Sequence, residues 1–96
     1  RMFYLNVCLQ VNNPADVERV RALLATMVAG VREEPGLERF VVYQSESDSS
    51  AFLLNEHWRS REDWETHRQG RICKEIYEPM VLPLVTRTAH IASLVE

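Results

Sequence analysis

The stretch AFLLNEHW, residues 51–58, constrains the fold more than any other part of the chain. Extended, it places Phe52, Leu54, Glu56 and Trp58 on one face and Ala51, Leu53, Asn55 and His57 on the other. Both faces carry large apolar groups. MFYLNVCLQV, residues 2–11, does the same, with Phe3, Leu5, Val7 and Leu9 opposite Tyr4, Asn6, Cys8 and Gln10. A sheet built from such strands needs cover on both sides. The 96 residues suffice for one small domain, 1–96, and not for two.

One cover is visible in the sequence. In residues 12–36, Val17, Val20, Leu24, Met27, Val28 and Val31 recur at spacings of three and four, which predicts a helix with one apolar stripe. Asn13 is a good N-cap, Pro14 suits the first helical position, and Pro35-Gly36 ends the helix. LERFVVYQSES (37–47) and AFLLNEHW (51–58) read as strands joined by a polar hairpin loop. Ser60 then caps a second helix, with Asp63 at the capping-box position and Trp64 and His67 three apart on one face. Gly70 interrupts it. A further helix from about Arg71 carries Ile72, Cys73, Ile76, Tyr77 and Met80 on its apolar side, and Pro79 and Pro83 end or kink it. VTRTAHIASLV, residues 85–95, is a last strand.

The order β-α-β-β-α-(α)-β is the ferredoxin-like pattern, an α+β fold with one four-stranded antiparallel sheet and its helices on a single face. The sheet's other face is then uncovered. A homodimer packed sheet to sheet about a two-fold axis would cover it.

Composition excludes several function classes. A net charge of −3, with no basic run, leaves no electrostatic footprint for nucleic acid or an anionic membrane. No apolar stretch approaches the roughly 20 residues of a membrane span. Cys8 and Cys73 have no CxxC spacing and suit a reduced, cytoplasmic setting, each as a small buried hydrophobe. His57, His67 and His90 match no familiar metal-ligand spacing, and the first two should lie on opposite sides of the sheet, so no metal is expected.

Several of these segments, in this order and spacing, resemble the antibiotic biosynthesis monooxygenase family of small dimeric ferredoxin-like proteins. EPG (34–36) leads into LERFVVYQS. FLLNEHWRSREDWETH resembles that family's apolar strand, Glu-x-Trp, polar turn, and helix bearing a His nine residues after the Trp. The resemblance implies a pocket between helices and sheet, with His67 facing into it. It also implies a range of chemistries, from cofactor-free oxidation of phenols and quinols to haem degradation or isomerisation, which the fold cannot choose between. Haem degradation is disfavoured: those members use a first-strand Asn, a helix Trp and a His ten residues later, whereas this chain has Asn6 but His67 and Tyr77 at the other two positions.

His67 has two readings. It is a general base, because histidine changes charge nearest neutral pH, or it packs beside Trp64. Asn6 either orients a substrate oxygen and its developing negative charge or is tied to backbone at a strand edge. Trp58 and Trp64 read first as packing groups, with one of them walling a flat substrate. Glu56 is a buried carboxylate paired with an arginine, or a second proton acceptor. Tyr43 and Tyr77 each either lend a hydroxyl or pack.

These readings converge on an expected cofactor-independent monooxygenase for an electron-rich aromatic such as a quinol, with dioxygen as co-substrate. A phenolate gives up one electron at a time and so evades the spin barrier to triplet dioxygen. The protein then supplies a base, a donor for the anion and a dry pocket. Two alternatives stand beside it. One is a non-redox isomerase or lyase acting on a small carbonyl compound, with Arg39, Arg71 or Arg87 as an anion clamp. The other is a non-catalytic ligand-binding dimer.

Overall fold

The computed structural model describes all of residues 1–96. Four strands, β1 (Phe3–Val11), β2 (Leu37–Gln44), β3 (Ala51–Trp58) and β4 (Val85–Ala92), form one sheet in the order β2-β3-β1-β4. Every neighbouring pair is antiparallel. Three helices join them: α1 (Val17–Val31), α2 (Arg61–Gln69) and α3 (Cys73–Val81). This is the ferredoxin-like arrangement that the element order predicts.

The alternation along β1 and β3 decides which face the helices cover. Phe3, Leu5, Val7, Leu9 and Val11 are buried, as are Phe52, Leu54, Glu56 and Trp58. Val20, Leu24, Met27 and Val31 of α1 meet them in one apolar cluster. Fully burying a side chain of this size is worth about 1.5–3 kcal/mol, so the stripe on α1 fixes which side of the sheet that helix takes.

Local signals set the helix ends. The Asn13 side chain accepts from the Ala15 amide, but over a short 3₁₀ turn, Pro14–Asp16, and α1 proper begins at Val17. Ser60 Oγ accepts from the Asp63 amide at 3.1 Å and starts α2. The reciprocal half of a capping box does not form, because Asp63 is short and its carboxylate lies where a Cβ on Gly36 would sit. Gly36 itself has φ +77°, the left-handed conformation that closes the α1–β2 turn. At Gly30 the missing side chain serves close approach instead, since a Cβ there would meet Ile72.

α3 winds as a π-helix around Pro79. Proline removes one donor and crowds the carbonyl four residues earlier, and the wider winding accommodates it. The strands are shorter than the sequence suggests, since β2 ends at Gln44 and β4 at Ala92. Met80, expected on the apolar side of α3, is exposed, while Val81 is fully buried.

Tyr4, Asn6, Cys8, Arg39, Tyr43, Leu53, Asn55, His57 and His90 populate the face that no helix covers. Tyr43 is 49% exposed and Leu53 is 44% exposed. No helix is long and apolar enough to cross a membrane.

Candidate active site

A cavity of about 620 Å³ opens between the sheet, α2 and α3. Its polar groups are Glu56, His67, Cys73, Tyr77 and Arg87, and its apolar wall includes Leu5, Trp64, Leu82, Ala89 and Ile91. The alternation in β3 and β4 turns Glu56 and Arg87 inward. Helical spacing of four brings Cys73 and Tyr77 onto the same side of α3. Arg68 and Lys74 stand at the rim, each already paired with a glutamate, Glu65 and Glu78 respectively.

Glu56 is 5% exposed and has no arginine partner within salt-bridge distance. Its Oε1 instead accepts a hydrogen bond from Trp58 Nε1 at 3.0 Å. Burial pushes its carboxyl above the ordinary value of 4.5, opposed chiefly by the indole hydrogen bond and more weakly by the charges of His67 and Arg87. The arginine pairing expected from the sequence is therefore replaced by an indole N–H. A carboxyl held this way binds its proton more tightly than a solvated one.

His67 is 6% exposed, and both ring nitrogens are occupied. Nδ1 lies 2.6 Å from Glu34 Oε1, and Nε2 lies 3.3 Å from Cys73 Sγ. The ring lies against Trp58, with centroids 4.5 Å apart. In the neutral ring with its proton on Nδ1, the N–H points at the Glu34 carboxylate and the Nε2 lone pair faces the thiol. Burial, with the nearby charges of Glu34, Glu56 and Glu78, pushes the Cys73 thiol up to about 12.

Tyr77 Oη accepts from Arg87 Nε at 2.9 Å. Burial raises the Tyr77 hydroxyl above its ordinary value, while Arg87 pulls it back. The terminal guanidinium nitrogens of Arg87 have no hydrogen-bond or salt-bridge partner, which leaves a cation available on the exposed side of the cavity.

The residues singled out in the sequence are thus divided by the sheet. His67, Glu56, Trp64 and Tyr77 line one cavity. Trp58 is fully buried behind it, and it orients Glu56 rather than walling the space. Asn6 and Tyr43 lie on the opposite, open face. There Arg39 Nε donates to Asn55 Oδ1 at 2.6 Å, Asn55 Nδ2 donates to Asn6 Oδ1 at 2.7 Å, and Arg39 also donates to Tyr43 Oη at 3.0 Å. Asn6 and His67 therefore do not share a site within one chain. The strand period separates them, because Leu5 and Val7 point to the helices and Asn6 must point away.

Sequence reasoning did not assign site roles to Glu34 or Cys73. Glu34 sits in the turn between α1 and β2, just before Pro35-Gly36 and 33 residues from His67, so only the tertiary structure reveals the pair. The Cys73–Tyr77 spacing was a usable signal.

The model of the family described as "Antibiotic biosynthesis monooxygenase" matches residues 2–79. The chain belongs to this family. Among solved structures, a candidate antibiotic biosynthesis monooxygenase from Nitrosomonas europaea superposes with a TM-score of 0.89 at 22% identity, covering 98% of this chain and 90% of that one. A second such candidate, from Bacteroides thetaiotaomicron, gives 0.91 at 15% identity, covering 100% of this chain and 91% of its own. A conserved protein from Methanosarcina mazei gives 0.86 at 19%, covering 95% and 90%. At these identities the structures establish the shared fold and nothing finer. No curated protein matches the sequence. Within the antibiotic biosynthesis monooxygenase family, then, chemistry has to be argued from the cavity itself.

Proposed function

We propose that the cavity binds an electron-rich hydroxylated aromatic, such as a hydroquinone, and oxidises it with dioxygen without a cofactor. The observation that carries this reading is Glu56, a buried carboxylate with a raised pKa at the floor of a cavity with aromatic and aliphatic walls. Glu56 takes the phenolic proton. Arg87, with the Tyr77 hydroxyl, stabilises the phenolate, the part the sequence assigned to Asn6. The phenolate passes one electron to dioxygen, and the semiquinone radical, through a ring carbon, joins superoxide in a C–O bond. The resulting peroxide loses water as its carbon gives up a proton, so one hydroquinone and one dioxygen yield one hydroxyquinone and one water.

His67 is assigned to the cavity wall as the partner of Glu34 and Cys73, not as the first proton acceptor. The open sheet face, with Tyr43 and Leu53 exposed, supports a sheet-to-sheet homodimer.

One observation favours a second reading. Arg87 on the exposed side of the cavity suits a small anionic carbonyl substrate, on which Glu56 would shuttle a proton without redox change. Oxygen uptake on a panel of hydroquinones separates the two. The monooxygenase requires uptake by the wild type, and a fall of about 10²–10⁴-fold in Glu56→Gln. No uptake on any hydroquinone, or undiminished uptake in Glu56→Gln, would overturn it.

A further inference from the structure

We infer that Cys73 is a covalent attachment site for soft, conjugated electrophiles that enter the cavity, quinones above all. Three groups stand in line. Glu34 Oε1 is 2.6 Å from His67 Nδ1, and His67 Nε2 is 3.3 Å from Cys73 Sγ. This is the order of orienting carboxylate, base and nucleophile that activates a thiol. Cys73 is 4% exposed, yet it borders the cavity together with His67 and Tyr77.

The other thiol supplies an internal contrast. Cys8 is only half-buried, lies on the open sheet face, and makes no hydrogen bond to a histidine. Exposure alone would make Cys8 the reactive cysteine. The Cys73 thiol rests protonated, since burial and nearby carboxylates oppose the thiolate. It is therefore inert toward reagents in bulk water, and it reacts when a bound electrophile draws on the sulfur while His67 removes the proton.

The step balances without any further reagent. Cys73 Sγ forms a bond to a ring carbon of the quinone, and the S–H bond breaks toward His67 Nε2. The π electrons of the attacked double bond move onto the quinone oxygen, which takes the proton from His67. Loss of the ring C–H proton to the second oxygen restores aromaticity. The product is a hydroquinone thioether that retains every atom of both reactants.

The choice of quinone as electrophile rests on the function proposed above, whereas the thiol geometry does not. The test accordingly uses added p-benzoquinone and needs no turnover. Intact mass and peptide mapping follow modification over time, with iodoacetamide as the comparison reagent. Cys73 is expected to take up benzoquinone before Cys8, while iodoacetamide shows no such preference for Cys73. Glu34→Gln and His67→Gln should each slow benzoquinone addition at Cys73 by about a hundredfold, the range of a lost general base. Thermal melts confirm that each variant is folded, and partly exposed Glu34 makes Glu34→Gln the safer of the two. Benzoquinone addition at Cys8 first, or at Cys73 with an unchanged rate in folded Glu34→Gln, overturns the inference. Labelling of Cys73 by a protein that takes up no oxygen would uphold it while refuting the monooxygenase.

Discussion

Replacing Glu56 by Gln should stabilise the protein at neutral pH while removing its proposed base. Glutamine has the shape of the protonated acid, and its side-chain oxygen can still accept from Trp58 Nε1, so the packing and the 3.0 Å hydrogen bond are kept. What changes is titration. Burial holds the Glu56 carboxyl above its ordinary 4.5, so the folded chain binds that proton more tightly than the unfolded chain. The stability contributed by this group is complete below about pH 4.5 and is lost as pH rises through the raised folded-state value. Over that window the two states differ by up to one proton. The advantage of Glu56→Gln should therefore grow at up to about 1.4 kcal/mol per pH unit and then level off. For a domain of this size, 1 kcal/mol moves Tm by about 4–8 °C. Urea unfolding of both proteins from pH 4 to pH 9 measures the difference directly. A pH-independent difference, or one favouring the wild type increasingly as pH rises, would refute a raised Glu56. A stabilised variant without activity would show a site kept at the expense of stability.

Other perturbations test the remaining contacts. Trp58→Phe deletes the hydrogen bond that lowers the Glu56 carboxyl, so the acid limb of the pH–rate profile should move to higher pH. Arg87→Met removes a charge that lowers both Glu56 and Tyr77, and should move both upward, read as a shifted pH–rate profile and a later Tyr77 titration by ultraviolet absorbance. Gly36→Ala must adopt φ +77° and displace the Asp63 carboxylate, so a loss of at least about 1–2 kcal/mol is expected by urea unfolding. Leu24→Ala, at a site 1% exposed in the main core, should cost about 2–5 kcal/mol by the same assay.

The fold was legible because its signals are local and periodic. The stripe on α1, the Ser60 cap and the alternation in β1 and β3 each follow from residues a few positions apart. They agree with one another, which is what specifies a fold. The π winding of α3 was not legible, since Pro79 reads equally as a helix end. Parts of the site were legible as residue types: Glu56, Trp64, His67 and Tyr77 do come together. Their roles were not. Whether Glu56 meets an arginine or an indole depends on β4 and on Trp58's own orientation. Whether His67 is free or held depends on Glu34, brought in by the turn between α1 and β2. Asn6 fell to the wrong side for a reason the sequence did contain, because its neighbours Leu5 and Val7 are core residues and a strand alternates.

The division made by the sheet also explains how so small a domain can hold a cavity with desolvated titratable groups. The helix-covered face carries both the apolar core and the cavity, so the groups with raised pKa values are desolvated by the same packing that stabilises the fold. The raised values of Glu56, Tyr77 and Cys73 share one leading cause, burial. Arg87, on the exposed side of the cavity, adds an unpaired positive charge at its edge. Burial raises the Glu56 carboxyl, which makes its carboxylate a stronger base than a solvated one, and Arg87 moderates that rise. The opposite face, with its Arg39–Asn55–Asn6 hydrogen-bond chain, holds polar groups that are satisfied within the sheet. The cavity lies on the other, helix-covered face.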